Sequence, residues 1–164
     1  MAGRLEPQDE DGSGGGGIHA LMAMGESVRA RLSDGADLAA IAIQIAEVAR
    51  GRGAEAVFGA STDGDRLAGA AALASSGGLR LWREGDQASG VLIVDSVLVS
   101  GVHIARARTS LRAFGVATVS AAVVAATEEA LGQARAELRL SIDALDTQPG
   151  AKTPSGAANV GAEG

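Results

Sequence analysis

Apolar positions along the chain recur with two different spacings. Residues Ile18 to Leu32 and Asp37 to Arg50 place apolar side chains three or four positions apart, which is the spacing of an amphipathic helix. Residues Val91 to Asp95 and Val116 to Ala125 are instead nearly continuous apolar runs, typical of strands buried on both faces. The pattern therefore predicts helices that alternate with buried strands.

The other predicted elements are shorter. In chain order they are a strand at 55–60, a polar turn at 61–65, a helix at 66–75, an edge strand at 79–83, helices at 104–114 and 128–137, and a last strand at 138–140. Strands separated by helices of ten or more residues form βαβ units. We therefore expect an α/β fold with a mainly parallel central sheet flanked by helices.

The two ends of the chain differ in composition from its middle. Residues 1–17 are acidic and end in Gly and Ser, and residues 147–164 consist mostly of Gly, Ala, Pro, Ser and Thr. Such segments bury too little apolar surface to offset chain entropy. We expect one domain at 18–146, between a disordered arm and a disordered tail.

Composition and charge narrow the functional classes. The chain has 164 residues, of which 46% are apolar, enough for one core, but only 2% are aromatic, so surfaces that stack on bases are scarce. A formal charge of −6 argues against nucleic-acid binding. There is no cysteine for thiolate chemistry, and no apolar run reaches the roughly 18 residues of a membrane span. We expect a cytoplasmic protein that binds neither nucleic acid nor membrane.

Candidate chemistry begins with the stretch Val91 to His103, which reads VLIVDSVLVSGVH. It combines a buried strand, the carboxylate of Asp95, a turn of small residues and the start of a helix. Parallel α/β sheets hold phosphates at such turns. With the helix and strand that follow, this stretch resembles the segment of type I phosphoribosyltransferases, most of all the orotate type, that binds 5-phosphoribosyl 1-pyrophosphate (PRPP).

A second segment supports the resemblance. Residues 56–68, AVFGASTDGDRLA, are similar to the family's strand, pyrophosphate loop and following helix, and residues 138–145 resemble its closing strand. The order of these segments and roughly their separation agree with the family. The resemblance implies a homodimer that binds PRPP or a nucleotide, and Mg²⁺ as the cofactor of an active enzyme.

The family's paired carboxylates, which bind the ribose hydroxyls of PRPP, are only half present. The resemblance gives Asp95 the place of the first carboxylate and makes it the candidate catalytic residue, whereas Ser96 replaces the second. A hydroxyl still forms a hydrogen bond to ribose, but without the assistance of a charge. The alternative for Asp95 is a residue that ends the strand and caps the next helix.

The turn that would wrap the 5′-phosphate is also altered. The resemblance places Val99, Ser100, Gly101, Val102 and His103 against the ligand. Ser100 and Gly101 keep half of the family's turn, but Val102 stands where the family has a glycine at positive φ, so a valine there would be strained if the family's geometry persisted. His103 replaces the closing threonine. It either contacts phosphate or is a histidine that lies at the surface or caps the helix.

The pyrophosphate loop carries added negative charge. The resemblance assigns ligand binding to Thr62, Asp63 and Gly64. Asp63 and Asp65 would repel a pyrophosphate unless Mg²⁺ lies between them, and are therefore candidate metal ligands, although such residues are also common in ordinary glycine turns.

The segment between the two motifs is short. Active relatives carry there a long loop with a catalytic lysine or arginine, which closes over the substrate. Only residues 75–90 intervene here, with Arg80 and Arg83 as their cations, and the chain's one lysine is Lys152 in the tail. Trp82 in this connector is either an edge-strand residue that covers the sheet or a surface for base stacking.

Three functions remain open at this point. The first is a degenerate protein of the phosphoribosyltransferase fold with a regulatory or assembly role. The second is a divergent active phosphoribosyltransferase that releases pyrophosphate. The third is an interaction protein whose terminal arms bind a partner, and only in that case would deletion of both arms abolish function. The substitutions in the PRPP turn favour the first.

Overall fold

A parallel sheet with helices on both faces forms the described part of the chain. The computed structural model describes residues 15–149, so most of the disorder expected for residues 1–17 and 147–164 lies outside the described residues. Where it can be compared, the expectation is wrong, because residues 15–17 belong to a helix and residues 147–148 to a strand. The elements are α1 (Gly15–Ser33), α2 (Gly35–Gly51), β1 (Ala56–Gly59), α3 (Thr62–Ala74), β2 (Arg80–Leu81), β3 (Gly90–Leu98), α4 (Val102–Ala113), β4 (Thr118–Thr127), α5 (Glu128–Leu138) and β5 (Ile142–Gln148).

The five strands lie in the order β2-β1-β3-β4-β5, and each neighbouring pair is parallel. Successive side chains of a strand point to opposite faces of the sheet. In β3, Leu92 and Val94 therefore pack with α1, α2 and α3, whereas Val91 and Ile93 pack with α4 and α5. Because β3 is covered on both faces, its sequence is continuously apolar. The predicted α/β fold with a parallel central sheet is confirmed.

Several element boundaries differ from the sequence prediction. Strand β3 continues to Leu98, three residues beyond Asp95. Helix α3 begins at Thr62, so residues 62–65 form a helical turn rather than a loop. The last strand predicted at 138–140 is wrong, because α5 extends to Leu138 and ends at Arg139, which adopts a left-handed conformation with φ of 47°. The closing strand begins only at Ile142.

Two glycines allow the loop after β1 to pack directly on β3. A Cβ atom on Gly59 would lie 2.2 Å from the backbone nitrogen of Asp65, and one on Gly64 would lie 2.4 Å from the carbonyl oxygen of Val94. Neither obstacle is a movable side chain, so both positions require glycine. This close approach places the first turn of α3 beside Asp95, the next residue of β3.

No helix within residues 15–149 is long and apolar enough to cross a membrane.

Candidate ligand site at the carboxyl edge of the sheet

Two loops and one carboxylate meet where β1 and β3 end. The backbone N–H of Ala60 donates to the carbonyl oxygen of Val94 at 2.9 Å, which holds the loop after β1 against β3. Asp95 then contacts Ser61 from that loop and His103 from the first turn of α4. The turn regions at 61–65 and 99–103 and Asp95 are thus brought together, as the sequence predicted.

The carboxylate of Asp95 is surrounded by protein groups. Its Oδ1 accepts a hydrogen bond from Ser61 Oγ at 2.5 Å and another from the backbone N–H of Ser96 at 2.8 Å. Its Oδ2 lies 3.3 Å from Nδ1 of His103. Asp95 is only 4% exposed. These partners stabilise the buried side chain, since burying a carboxyl group without partners is costly.

Ser61 joins the two motifs, and sequence reasoning did not assign it a role. It is the N-cap of α3, where its Oγ accepts from the backbone N–H of Gly64 at 3.1 Å while donating to Asp95. One hydroxyl therefore fixes both the start of α3 and the orientation of the carboxylate. The signal for the cap was present, because serine directly before an acidic first turn is a typical helix start.

The positive φ of the turn before α4 belongs to Gly101 rather than to Val102. Gly101 has φ of 70° and is the N-cap of α4, and its side of the turn faces Ala134. Val102 is the first residue of the helix, is 46% exposed and does not have positive φ. The strain considered for Val102 is therefore absent, since the chain reaches the left-handed region one residue earlier, at Gly101.

His103 has a defined partner. Its Nδ1 faces Asp95 Oδ2, while its side chain is 60% exposed, so the rest of the ring reaches solvent at the crevice. Because Gly101 holds the N-cap position, the capping interpretation of His103 is wrong. The geometry instead places an imidazole 3.3 Å from the carboxylate of Asp95.

The remaining turn residues are accessible to different degrees. Ser96 is half-buried at its place in β3, and Ser100 is exposed in the turn. Val99 is 55% exposed and lines, together with Ile18 and Met22 of α1, an apolar groove of about 450 Å³. An apolar surface thus adjoins the candidate site.

The acidic pair does not form a shared metal face. Asp63 is half-buried and Asp65 is exposed, and both lie with Thr62 and Gly64 in the first turn of α3. Side chains two positions apart on a helix do not face each other. Within residues 15–149, no group of three or more His, Asp or Glu side chains is placed to hold a metal ion.

The aromatic residues form a structural cluster. The ring of Trp82 lies 5.6 Å from those of Phe58 and Phe114, and Trp82 is only 8% exposed. Trp82 is therefore a core residue over the sheet, and the base-stacking interpretation is wrong for this structure. Its indole nitrogen is buried and has no hydrogen-bond partner among the described residues.

Arg80 and Arg83 both contact other residues of the connector between α3 and β3. Arg80 donates to the carbonyl oxygen of Gln87 at 2.6 Å and lies 3.7 Å from Asp86. Arg83 is exposed, and its backbone N–H donates to Asp86. The connector is thus folded on itself by these contacts.

Together, the parallel sheet and the glycine turn before α4 define an α/β protein whose candidate site lies at the carboxyl edge of the sheet. No protein-family model and no curated protein matches the sequence. Among solved structures, the fold matches orotate phosphoribosyltransferase from Aeropyrum pernix with 30% identity and a TM-score of 0.58, over 73% of this chain and 75% of that chain.

Other matches are more distant in sequence. Adenine phosphoribosyltransferase from Thermoanaerobacter pseudethanolicus matches with 14% identity and a TM-score of 0.59, over 71% of this chain and 83% of that one. UMP synthase from Leishmania donovani matches with 20% identity and a TM-score of 0.59, over 73% of this chain and 29% of that one. These two matches show the fold alone, whereas the Aeropyrum match, at 30% identity, also shows the family. The chain belongs to the type I phosphoribosyltransferase family.

Proposed function

We propose that this protein is a degenerate member of its family, which binds PRPP or a nucleotide weakly and has a regulatory or assembly role. The observation that carries the proposal is the state of Asp95. Its carboxylate is 4% exposed and is already bonded to Ser61, Ser96 and His103. A ribose would have to displace His103 and compete with Ser61, so ligand binding would lose contacts that stabilise the fold.

Two further features support weak binding. The second carboxylate is replaced by Ser96, which removes one charge-assisted hydrogen bond to ribose. The only lysine of the chain is Lys152, outside the described residues, and Arg80 is held by Gln87 within the connector. The chain thus lacks the usual lysine with which to neutralise a departing pyrophosphate.

The alternative is an active, divergent phosphoribosyltransferase of the orotate type. It is favoured by Gly101, whose φ of 70° keeps the turn before α4, and by the 30% identity with an orotate phosphoribosyltransferase. In this case Asp95, Ser100 and Gly101 would anchor PRPP, and Mg²⁺ would bridge its pyrophosphate to Asp63 or Asp65. An arginine of the connector, from a neighbouring chain, would replace the lysine.

Thermal unfolding with PRPP and Mg²⁺ distinguishes the two. A ligand at 100 times its dissociation constant stabilises a fold by about 2.7 kcal/mol. We expect no measurable shift at 100 µM PRPP for the natural protein, with inorganic tripolyphosphate and Mg²⁺ as the control for charge. A shift that saturates at micromolar PRPP, together with pyrophosphate release on addition of orotate, would establish the active alternative.

We also propose a homodimer that pairs through α2 and α3. An apolar recess of about 450 Å³ lies between these helices, lined by small side chains such as Ala39 and Ala70. Leu73, which is 87% exposed, and Ile43, which is 51% exposed, project from the same surface. Because the projecting side chains and the recess lie on one patch, this patch can pair with the same patch of a second copy around a twofold axis.

Light scattering tests the dimer. We expect about twice the chain mass of 16.2 kDa at micromolar concentration. Leu73→Lys should give the monomer mass, whereas Leu81→Lys, at the 41% exposed Leu81, serves as the control that leaves the dimer intact. A natural protein of monomer mass would refute the proposal. The predicted cytoplasmic location and lack of nucleic-acid binding remain predictions.

A further inference from the structure

We propose that a recess between α4 and the end of α5 is a second binding site, which takes a small organic anion and acts on the turn before α4. The recess has a volume of about 300 Å³ and is lined by Ala105, Arg108, Thr109, Arg112 and Leu138. Positions 105, 108, 109 and 112 are three or four residues apart, so they share one face of α4. Two arginines and a partly buried leucine therefore surround one space.

The arginines of the recess are not neutralised by carboxylates. The ion pairs within residues 15–149 join Arg52 to Asp143, Arg80 to Asp86 and His103 to Asp95. Neither Arg108 nor Arg112 takes part in them. Residues 96–127 contain no Asp or Glu but three arginines, all on α4, a net charge of +3 without His103. In a chain of net charge −6, this stretch attracts an anion that the chain as a whole repels.

The acids of α5 do not cancel this charge. Glu137 accepts from Nε2 of Gln133 at 2.8 Å, so its carboxylate lies on the face of Gln133 rather than on that of Leu138. The other acids of α5 are in its first turn, and Glu129 is nine residues before Leu138, about 14 Å along the helix. That separation exceeds the Debye length of about 8 Å at physiological salt. Arg139, which is exposed and directly follows Leu138, adds a further positive charge beside the recess.

The hydrogen-bonding groups of the recess define the class of ligand. Arg108 donates through Nη1 to the carbonyl oxygen of Leu138, which fixes its guanidinium and offsets the partial negative charge at the end of α5. A guanidinium has five N–H donors, so four remain for a ligand, beside those of Arg112. The hydroxyl of Thr109 donates to the carbonyl oxygen of Ala105 at 2.9 Å and is thus engaged by its own helix. Guanidinium groups bind phosphate and carboxylate alike, and Ala105 and Leu138 provide apolar contacts for the ligand's body.

The recess is connected to the candidate site through Leu138. A Cβ atom on Gly101 would lie 3.6 Å from Cδ1 of Leu138, so this side chain packs against the turn and also lines the recess. A second connection is the backbone N–H of Ala105, which donates to the carbonyl oxygen of Gly101 at 2.9 Å. The turn leads directly to His103, which faces Asp95. A ligand that moves Leu138 therefore moves the turn; a regulatory use of this contact rests on the proposed function, whereas binding in the recess does not.

NMR titration of the full-length protein with n-butyl phosphate tests the binding. We expect saturable shifts of the amide signals of Arg108, Thr109 and Arg112, with half-saturation on the order of 1 mM for so small a ligand. Hexanoate distinguishes a carboxylate from a phosphate monoester as the preferred anion, and saturation by either supports the site. n-Butanol has no charge and inorganic phosphate has no apolar body, so each should bind at least about fivefold more weakly. Equal binding of n-butanol, or no saturation by either anion below about 10 mM, overturns the proposal.

A matched pair of arginine variants tests the role of the charge. Arg112→Gln should weaken n-butyl phosphate binding at least about fivefold, because it removes charge-assisted hydrogen bonds. Arg50→Gln is the control: Arg50 is likewise an exposed arginine in the last turn of a helix, and it lines a recess of about 260 Å³ as its one charged residue. This control should leave the affinity within about twofold of that of the natural protein. Equal weakening by both substitutions would show that only the net charge matters and would overturn the site.

The two histidines of the chain test the action on the turn in the same titration. n-Butyl phosphate has no aromatic ring that would shift neighbouring signals by itself. We expect the ring signals of His103 to move with the same half-saturation as the amide of Arg112, and those of His19 on α1 to stay unchanged. Signals of His103 that stay still refute the action on the turn, and signals that move equally in Arg112→Gln show that the anion binds at the turn itself. PRPP is not used, so the result is independent of whether the protein is degenerate.

Discussion

Replacing Asp95 by asparagine tests whether its carboxylate stabilises the fold or is held ready for a ligand. In the structure, Oδ1 accepts from Ser61 and from the backbone N–H of Ser96, and Oδ2 faces His103. Asparagine has nearly the same shape, but it is uncharged and has one acceptor oxygen instead of two. Either Ser61 or His103 would then face an NH₂ group.

The expected loss in the free energy of unfolding is large for so small a change of side chain. Hydrogen bonds to charged groups contribute about 1.5 to 3 kcal/mol each. The variant weakens the contact with Ser61 and removes one acceptor, so we expect the free energy of unfolding to fall by about 2 to 4 kcal/mol. Asp143→Asn is the matched control, because Asp143 pairs with Arg52 through two contacts of 2.8 Å in which the side chains are 30% and 38% exposed. An exposed pair contributes no more than about 1 kcal/mol.

Urea unfolding followed by tryptophan fluorescence measures both variants. Trp82 is the only tryptophan and is 8% exposed in the core, so its emission reports global unfolding. An unchanged slope with urea would show that the midpoint change is a change of stability. A double-mutant cycle with Ser61→Ala should give a coupling energy of about 1 kcal/mol or more. If Asp95→Asn costs less than about 0.5 kcal/mol, the carboxylate is not structural and the reasoning is refuted.

Two other predictions concern packing and pH. Gly64→Ala should lower the free energy of unfolding by about 3 kcal/mol or more, because the added Cβ would lie 2.4 Å from the carbonyl oxygen of Val94. Gly132→Ala, in open space on α5, should raise it by about 0.5 to 1 kcal/mol. Equal effects of the two substitutions would contradict the packing analysis. The side-chain and backbone hydrogen bonds from Ser89 lower the pKa of Glu55, so Glu55 contributes stability above its unfolded pKa that is lost as pH falls through its folded pKa. Ser89→Ala should raise the pKa of Glu55 in an NMR titration, and an unchanged pKa would argue against the assigned cause.

The sequence predicted those features that depend on local pattern. The apolar run Val91 to Val94 identified a strand buried on both faces, and the structure confirms it with Leu92 and Ile93 fully buried. Boundaries were less predictable, because they depend on single backbone conformations. The start of β5 at Ile142 follows from Arg139 entering the left-handed region, which a non-glycine residue does only when its surroundings compensate.

The site was only partly predictable for a similar reason. The turn containing Gly101 was visible, but a pattern cannot say whether Gly101 or the next position takes positive φ. The contacts of Asp95 could not be inferred either, because Ser61 is 34 residues away in the chain and His103 is 8 away. Hydrogen bonds across such separations depend on the close approach that Gly59 and Gly64 permit.

Isothermal titration of PRPP with Mg²⁺ tests the central claim most directly, namely that the protein's own contacts occupy the carboxylate of Asp95. We expect no saturable binding by the natural protein at micromolar PRPP. Ser96→Asp with His103→Thr should restore the second carboxylate and free Oδ2, and so tighten binding by about 1 to 3 kcal/mol, or roughly 5- to 150-fold. Micromolar PRPP binding by the natural protein, with pyrophosphate released in the presence of orotate or another base, would contradict the account and establish an active phosphoribosyltransferase.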